Sequence, residues 1–167
     1  TLLIASVLNY SNITCNGFND GTIQTTTTGG TLPYSYQWIP SVSTSANASN
    51  LSSGYQVVAV TDNNGCIDTT AVYINEPSAI ATIVQGGDTI CPGQAINLSA
   101  FAFGGVGNFT YVWNNGYNGA NQLVNPSAST IYSVYAMDGN GCIGTTDSTN
   151  VLVNDINLVN LSAVPDT

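Results

Sequence analysis

The chain of 167 residues contains no lysine, no arginine and no histidine. Its nine acidic residues are unopposed, and the formal net charge at pH 7 is −9. Proteins bind nucleic acid by neutralising phosphates with cationic side chains, so we predict no nucleic-acid partner. Without histidine, neither a Ser-His-Asp nor a Cys-His triad can be assembled. Without lysine, Schiff-base chemistry is excluded as well.

The acidic residues are scattered singly along the chain, which is unlike the carboxylate pairs that hydrolyse glycosides. Three turns, at 19–21, 62–65 and 138–141, place Asp beside Asn and Gly. Calcium needs six to eight oxygen ligands, but each turn has a single carboxylate. We interpret all three as Asx-type turns. We therefore predict no catalytic residue, no metal site, no cofactor and no enzymatic activity.

Long hydrophobic runs are also missing. No stretch approaches the roughly 18 apolar residues that a transmembrane helix requires. Residues 1–8 are apolar, but they are too few to span a bilayer, and they lack the basic start of a signal peptide. We predict that the protein does not insert into a membrane.

The residues that are abundant favour β-structure. Ser, Thr, Val, Ile and Tyr suit pleated strands, alternation with period two marks short strands, and no segment has a sustained helical period. We predict strands near 2–9, 22–28, 34–39, 55–62, 67–74, 80–86, 95–102, 109–114, 130–137 and 143–153. Short strands separated by turns are typical of sandwiches. The expected fold is all-β, with tandem immunoglobulin-like β-sandwiches.

The four cysteines form two equally spaced pairs. Cys15 and Cys66 are 51 positions apart, as are Cys91 and Cys142. An even count in a small β-rich chain indicates an oxidising compartment, and a zinc site would need closer pairs. We predict one disulfide per domain, Cys15–Cys66 and Cys91–Cys142, each joining two loops at one end of its sandwich.

The cysteine spacing belongs to an internal repeat with an offset of 75 or 76 positions. Tyr36-x-Trp38 recurs as Tyr111-x-Trp113, and Asp62-x-x-Gly-Cys recurs from Asp138. We predict one domain over residues 1–77 and a second over 78–154. Residues 155–167 are expected to be the first strand of a further repeat or an inter-subunit strand. The full-length protein is then expected to continue to another cysteine within a few residues.

Each copy contains three aromatic residues at alternate positions, so that each trio points to one face of a strand. The trios are Tyr34, Tyr36 and Trp38, then Phe109, Tyr111 and Trp113. An exposed stripe would be a platform for stacking sugars. Because both copies place the stripe at the same repeat position, we favour core packing.

The first copy resembles the SprB-type repeats of giant gliding adhesins in Bacteroidetes. The matching residues are Cys15-Asn-Gly-x-Asn-Asp-Gly, Gly29-Gly-x-x-Pro-Tyr-x-Tyr-x-Trp, Leu51-x-x-Gly-Tyr-x-Val-x-x-Val-x-Asp-x-x-Gly-Cys and Glu76-Pro77. The second copy is similar to immunoglobulin-like or PKD-like modules through Ile90-Cys-Pro-Gly-Gln, Tyr111-x-Trp113 and Asp138-x-x-Gly-Cys.

The resemblance implies a large repetitive protein that is exported by the type IX system and displayed as filaments on the bacterial surface. Proteins of this phylum often carry O-glycans on Asp-Ser/Thr motifs. Three such motifs imply glycosylation at Thr69, Thr89 and Ser148.

Three functions fit these observations. The first is a non-enzymatic structural or adhesive segment of a surface filament of the kind used in gliding motility. Its partners are neighbouring copies or repeats of the same protein. The second is a self-assembling filament or sheath subunit that is joined by β-strand addition. The third is a carbohydrate-binding module whose partners are surface glycans. In each case the expected location is extracellular, at the cell surface.

Overall fold

A computed structural model describes residues 1–154, and over this range the predicted all-β fold is confirmed. Thirteen strands and no helix occur between Thr1 and Asn154. The strands are β1 (Ile4–Ser11), β2 (Gly21–Thr28), β3 (Ser35–Ile39), β4 (Asn47–Leu51), β5 (Gly54–Thr61), β6 (Ile67–Ile74), β7 (Ala81–Gln85), β8 (Thr89–Ile90), β9 (Ile96–Phe103), β10 (Thr110–Trp113), β11 (Asn121–Val124), β12 (Thr130–Met137) and β13 (Ile143–Val153). The strand predicted within 155–167 lies outside the described residues.

The chain divides into two compact units. The first contains Thr1–Ala79 together with two short turns, Gly104–Gly107 and Gly139–Cys142. The second contains Ile80–Phe103, Asn108–Asp138 and, of the described residues, 143–154. Between residues 1 and 154 there is no helix of the length and hydropathy that a membrane span requires.

The first unit is a sandwich of two three-stranded sheets, ordered β1-β2-β4 and β3-β5-β6. Strand β5 shows why the sheets face each other, because its side chains alternate between the interior and the surface. Val58 and Val60 are buried, whereas Tyr55 on the opposite face is exposed. They pack in one core with Ile23 and Leu51 of the other sheet. Burial of such aliphatic side chains stabilises the fold by roughly 1.5–3 kcal/mol each.

The second unit also has two sheets, ordered β11-β9-β7 and β10-β12-β13-β8. Its core joins Leu98 of the first sheet to Trp113, Val134 and Val151 of the second. The short strand β8 pairs in parallel with the end of β13, where Thr89 lies opposite Leu152. The other strand pairs of this unit are antiparallel.

Candidate functional site

The cysteine pairs predicted from spacing are wrong. Cys15 is bonded to Cys142 with a Cα–Cα distance of 5.5 Å, and Cys66 and Cys91 are free and exposed. Both bonded residues are 8% exposed. The bond lies within the first unit, because that unit includes the turn Gly139–Cys142.

The reason is that Cys15 and Cys66 lie at opposite ends of β6. Near the start of β6, the Ala5 N–H donates to Asp68 Oδ2. Near its end, the Ile13 N–H donates to the carbonyl oxygen of Asn75. Cys66 immediately precedes β6, whereas Cys15 lies beyond Ile13. An eight-residue strand is about 26 Å long, but a disulfide needs its Cα atoms within about 7 Å.

The second pair is separated in the same way by β13. Cys142 immediately precedes this 11-residue strand. Cys91 follows β8, whose Ile90 lies opposite Val153 at the far end of β13. Eleven strand residues span about 36 Å. Each copy of the repeat therefore has its two cysteines near opposite ends of a long strand.

The turn before Cys66 is organised by Asp62, which is 6% exposed. Its Oδ1 accepts the N–H groups of Asn64 and Cys66, and its Oδ2 accepts the N–H of Thr31, each at 2.9 Å. Burial opposes ionisation of Asp62, but the hydrogen bonds from Cys66, Thr31 and Asn64 outweigh it and lower the pKa of this carboxyl. The carboxylate thus acts as a structural acceptor that ties the turn to the loop before β3.

Asp20 has a similar role in the loop that contains Cys15. Its oxygens accept the hydroxyl and the N–H of Thr14, and the hydroxyl hydrogen bond is the main reason that the pKa of Asp20 is lowered. Over residues 1–154, no three acidic or cysteine side chains lie together as a metal-binding cluster.

The aromatic stripes place both indole rings in the cores. Trp38 and Trp113 are each 2% exposed. Their Nε1–H groups donate to the carbonyl oxygens of Ser45 at 2.8 Å and Gly119 at 2.9 Å. The other stripe residues are half-buried: Tyr34, Tyr36, Phe109 and Tyr111. The two indole rings therefore have no open face on which a sugar could stack.

An open cleft of about 410 Å³ lies in the second unit. It is lined by Asn115, Tyr117, Asn121, Gln122, Leu123, Val124, Asn125, Pro126 and Tyr132. Gln122 is 6% exposed; its Oε1 accepts a hydrogen bond from Asn115 Nδ2, and its Nε2 has no hydrogen-bond partner among residues 1–154. The amides and tyrosines could hydrogen-bond to a polar ligand. Little in the sequence indicates this cleft, since β11 is short and lies in a polar segment.

The three candidate O-glycosylation residues, Thr69, Thr89 and Ser148, are exposed. The acidic residue before each one is hydrogen-bonded to the backbone. Asp68 accepts from Ala5 N, Asp88 from Thr89 N, and Asp147 from both Val84 N and Ser148 N. A modifying enzyme would find the three hydroxyls at the surface, and their modification remains a prediction.

Comparison with solved structures gives matches at low sequence identity and with TM-scores below 0.5. The fibronectin(III)-like modules of Clostridium thermocellum CbhA are 11% identical, with a TM-score of 0.41, and cover 93% of this chain and 96% of their own. Murine CEACAM1b is 9% identical, with a TM-score of 0.37, and covers 92% of this chain and 100% of its own.

Comparison with curated proteins gives no match. Comparison with protein families gives a match to the family that the sequence of the first copy resembles. Residues 7–43, which include β2, β3 and the loop containing Cys15, match the SprB repeat. Over this segment of the first unit, the chain is similar to the SprB repeat family.

Proposed function

We propose that this chain is a non-enzymatic structural and adhesive segment of a large repetitive protein on a bacterial surface. The match of residues 7–43 to the SprB repeat carries the proposal. The proposal includes export through the type IX system, display in filaments that serve adhesion or gliding, and O-glycans on exposed hydroxyls.

The architecture suits a structural segment. Repeated modules add length while each copy keeps its own core, and this chain contains two sandwiches with separate cores. Side-chain ion pairs cannot form without lysine, arginine or histidine. Stability therefore depends on burial, hydrogen bonds and the disulfide, which persists in oxidising compartments such as the outside of a cell.

Self-assembly by β-strand addition is a second candidate, and strand β1 favours it. This strand is at the edge of its sheet. Ile4, Leu8 and Tyr10 on β1 are 45%, 68% and 48% exposed. Exposed apolar edge strands can pair with another chain.

The proposal is tested with antibody fragments raised against the chain and applied to intact cells of the bacterium that makes it. We expect gold-labelled fragments to mark extracellular filaments in electron microscopy. We also expect the same fragments to reduce the attachment of cells to glass, compared with fragments against a cytoplasmic protein.

The outcomes separate the candidates. Label confined to the cell interior, or unchanged attachment, would contradict the proposal. Filaments built from separate chains at a fixed repeat would favour the self-assembling subunit. Binding of the isolated chain to a glycan array would instead favour a carbohydrate-binding module, with the cleft beside Tyr117 and Gln122 as its site.

A further inference from the structure

The repeat relates the two free cysteines to the two bonded ones. An offset of 76 positions takes Cys15 to Cys91 and takes Cys66 to Cys142. The bond joins Cys15 of the first copy to Cys142 of the second. It leaves one cysteine of each type free, namely Cys91, which corresponds to Cys15, and Cys66, which corresponds to Cys142.

The backbone around Cys91 is the same as that around Cys15. The Phe18 N–H donates to the Cys15 carbonyl oxygen at 3.0 Å, and the Gln94 N–H donates to the Cys91 carbonyl oxygen at 3.1 Å. The glycine two positions after each cysteine has a positive φ, +77° at residue 17 and +79° at residue 93. The free Cys91 thus lies in a turn of the same conformation as the turn that contains the bonded Cys15.

The other pair shows the same agreement. Gly65 and Gly141, which precede Cys66 and Cys142, both have φ of +83°. The aspartates four positions before the cysteines, Asp62 and Asp138, are 6% and 5% exposed. Cys66 therefore occupies the turn geometry that Cys142 has in its disulfide.

We infer that Cys91 of one chain forms a disulfide with Cys66 of a neighbouring chain, and that this bond repeats the Cys15–Cys142 bond. Because each chain has one free cysteine of each type, such bonds would join chains head to tail in a covalent row. The inference rests on the proposed function, in which copies follow one another in a filament. To that function it adds that neighbouring chains are joined by disulfide bonds.

The bond requires an oxidant, and a small-molecule disulfide such as oxidised glutathione is sufficient. The Cys91 thiolate attacks this disulfide, forms a mixed disulfide and releases one glutathione thiolate. The Cys66 thiolate of the neighbour then attacks the Cys91 sulfur and releases the second. The two electrons reduce the glutathione disulfide, and the two cysteine protons end on its thiols. Both protein thiols are accessible for this exchange because both are exposed.

The test uses the full chain with Cys15–Cys142 intact and with Cys66 and Cys91 reduced. After incubation with oxidised glutathione, we expect a ladder of oligomers on a non-reducing gel. Mass spectrometry after chymotrypsin digestion should find the Cys66–Cys91 linkage between chains, beyond the share that random pairing gives.

Two single variants test whether Cys66 pairs with Cys91 rather than each cysteine with its own kind. Cys66→Ser retains only the Cys91 thiol, and Cys91→Ser retains only the Cys66 thiol. An equal mixture of the two should give the mixed dimer as well over half of all dimers, which is the share that random pairing gives, and neither variant should give a ladder.

A mixed dimer that makes up no more than half of all dimers, as random pairing gives, would overturn the inference. So would a Cys66–Cys91 bond within one chain, or thiols that stay reduced. These results would not affect the microscopy and attachment results that test the proposed function.

Discussion

At the scale of single residues, Asp62 shows how a carboxylate is stabilised in a chain without cationic side chains. Three backbone N–H groups supply the partial positive charge that a lysine or arginine would otherwise provide. The sequence identified residues 62–65 as an Asx-type turn. It did not show that Thr31, about 30 positions earlier, is held by the same carboxylate, because that contact depends on how two distant loops fold together.

Asp62→Asn should lower the melting temperature at pH 7, because an amide nitrogen cannot accept the N–H bonds that a carboxylate oxygen accepts. The folded-state pKa of Asp62 lies below its ordinary value of 3.8. Its stabilisation is therefore present above about pH 4 and is lost as the pH falls through the folded-state pKa. The difference between wild type and variant should shrink as thermal unfolding is measured from pH 7 down to pH 2.

Asp88→Asn is the matched control, because the Asp88 side chain is exposed and, among the described residues, accepts a hydrogen bond only from the N–H of the next residue. Its melting temperature should follow that of the wild type throughout. A difference between Asp62→Asn and wild type that stays constant down to pH 2 would show that ionisation of Asp62 is not the cause.

At the scale of elements, the sequence predicted ten of the thirteen strands described between residues 1 and 154, including the short strands β3, β7 and β10. Strand β5 alternates clearly because one face is buried and the other is not. Strands β4, β8 and β11 were missed, because β4 and β11 contain several polar side chains and β8 has two residues. Their pairing is set by neighbouring strands rather than by their own pattern, and β11 helps to form the cleft.

At the corner between β2 and β3, close packing leaves no room for a side chain at Gly29. Its φ is +72°, and a Cβ built on it would lie 1.8 Å from the carbonyl oxygen of Leu2. Gly29→Ala should therefore displace the chain leading into β1, in addition to the roughly 1–2 kcal/mol that a left-handed conformation costs a non-glycine residue. Urea unfolding would measure the total loss.

Gly65→Ala separates the two effects. Gly65 has φ of +83°, but a Cβ there would meet nothing within 4 Å. This control should lose only the conformational part, roughly 1–2 kcal/mol. Equal losses for the two variants would mean that the contact with Leu2 relaxes without cost.

At the scale of the whole molecule, the sequence predicted a repeat with one disulfide in each copy, and both the number of bonds and their pairing are wrong for the described residues. Equal spacing within each copy suggested bonds within copies. Spacing along the chain carries no information about direction in space, and the two cysteines of each predicted pair lie near opposite ends of β6 or β13. Comparing the two copies position by position shows which cysteines are equivalent, but only the folded chain shows which of them meet.

Cys142→Ser should lower stability by up to about 5 kcal/mol, because the bond closes a loop with a sequence separation of 127 and the chain-entropy model scales with loop length. Thermal unfolding in a non-reducing buffer measures the effect. Cys66→Ser should have the same melting temperature as the wild type, because the exposed thiol of Cys66 closes no loop within the chain. A Cys142→Ser variant as stable as Cys66→Ser would show that the bond does not constrain the unfolded chain.

The Cys15–Cys142 bond also determines how the molecule responds to tension. If the chain is pulled from residues near its two ends, the covalent path runs directly from Cys15 to Cys142. Residues 16–141, which include most of both cores, lie off that path. About 430 Å of extended chain is thereby protected from being drawn out. In the proposed filament, a segment built in this way would transmit drag with little lengthening, for as long as its surroundings keep the bond oxidised.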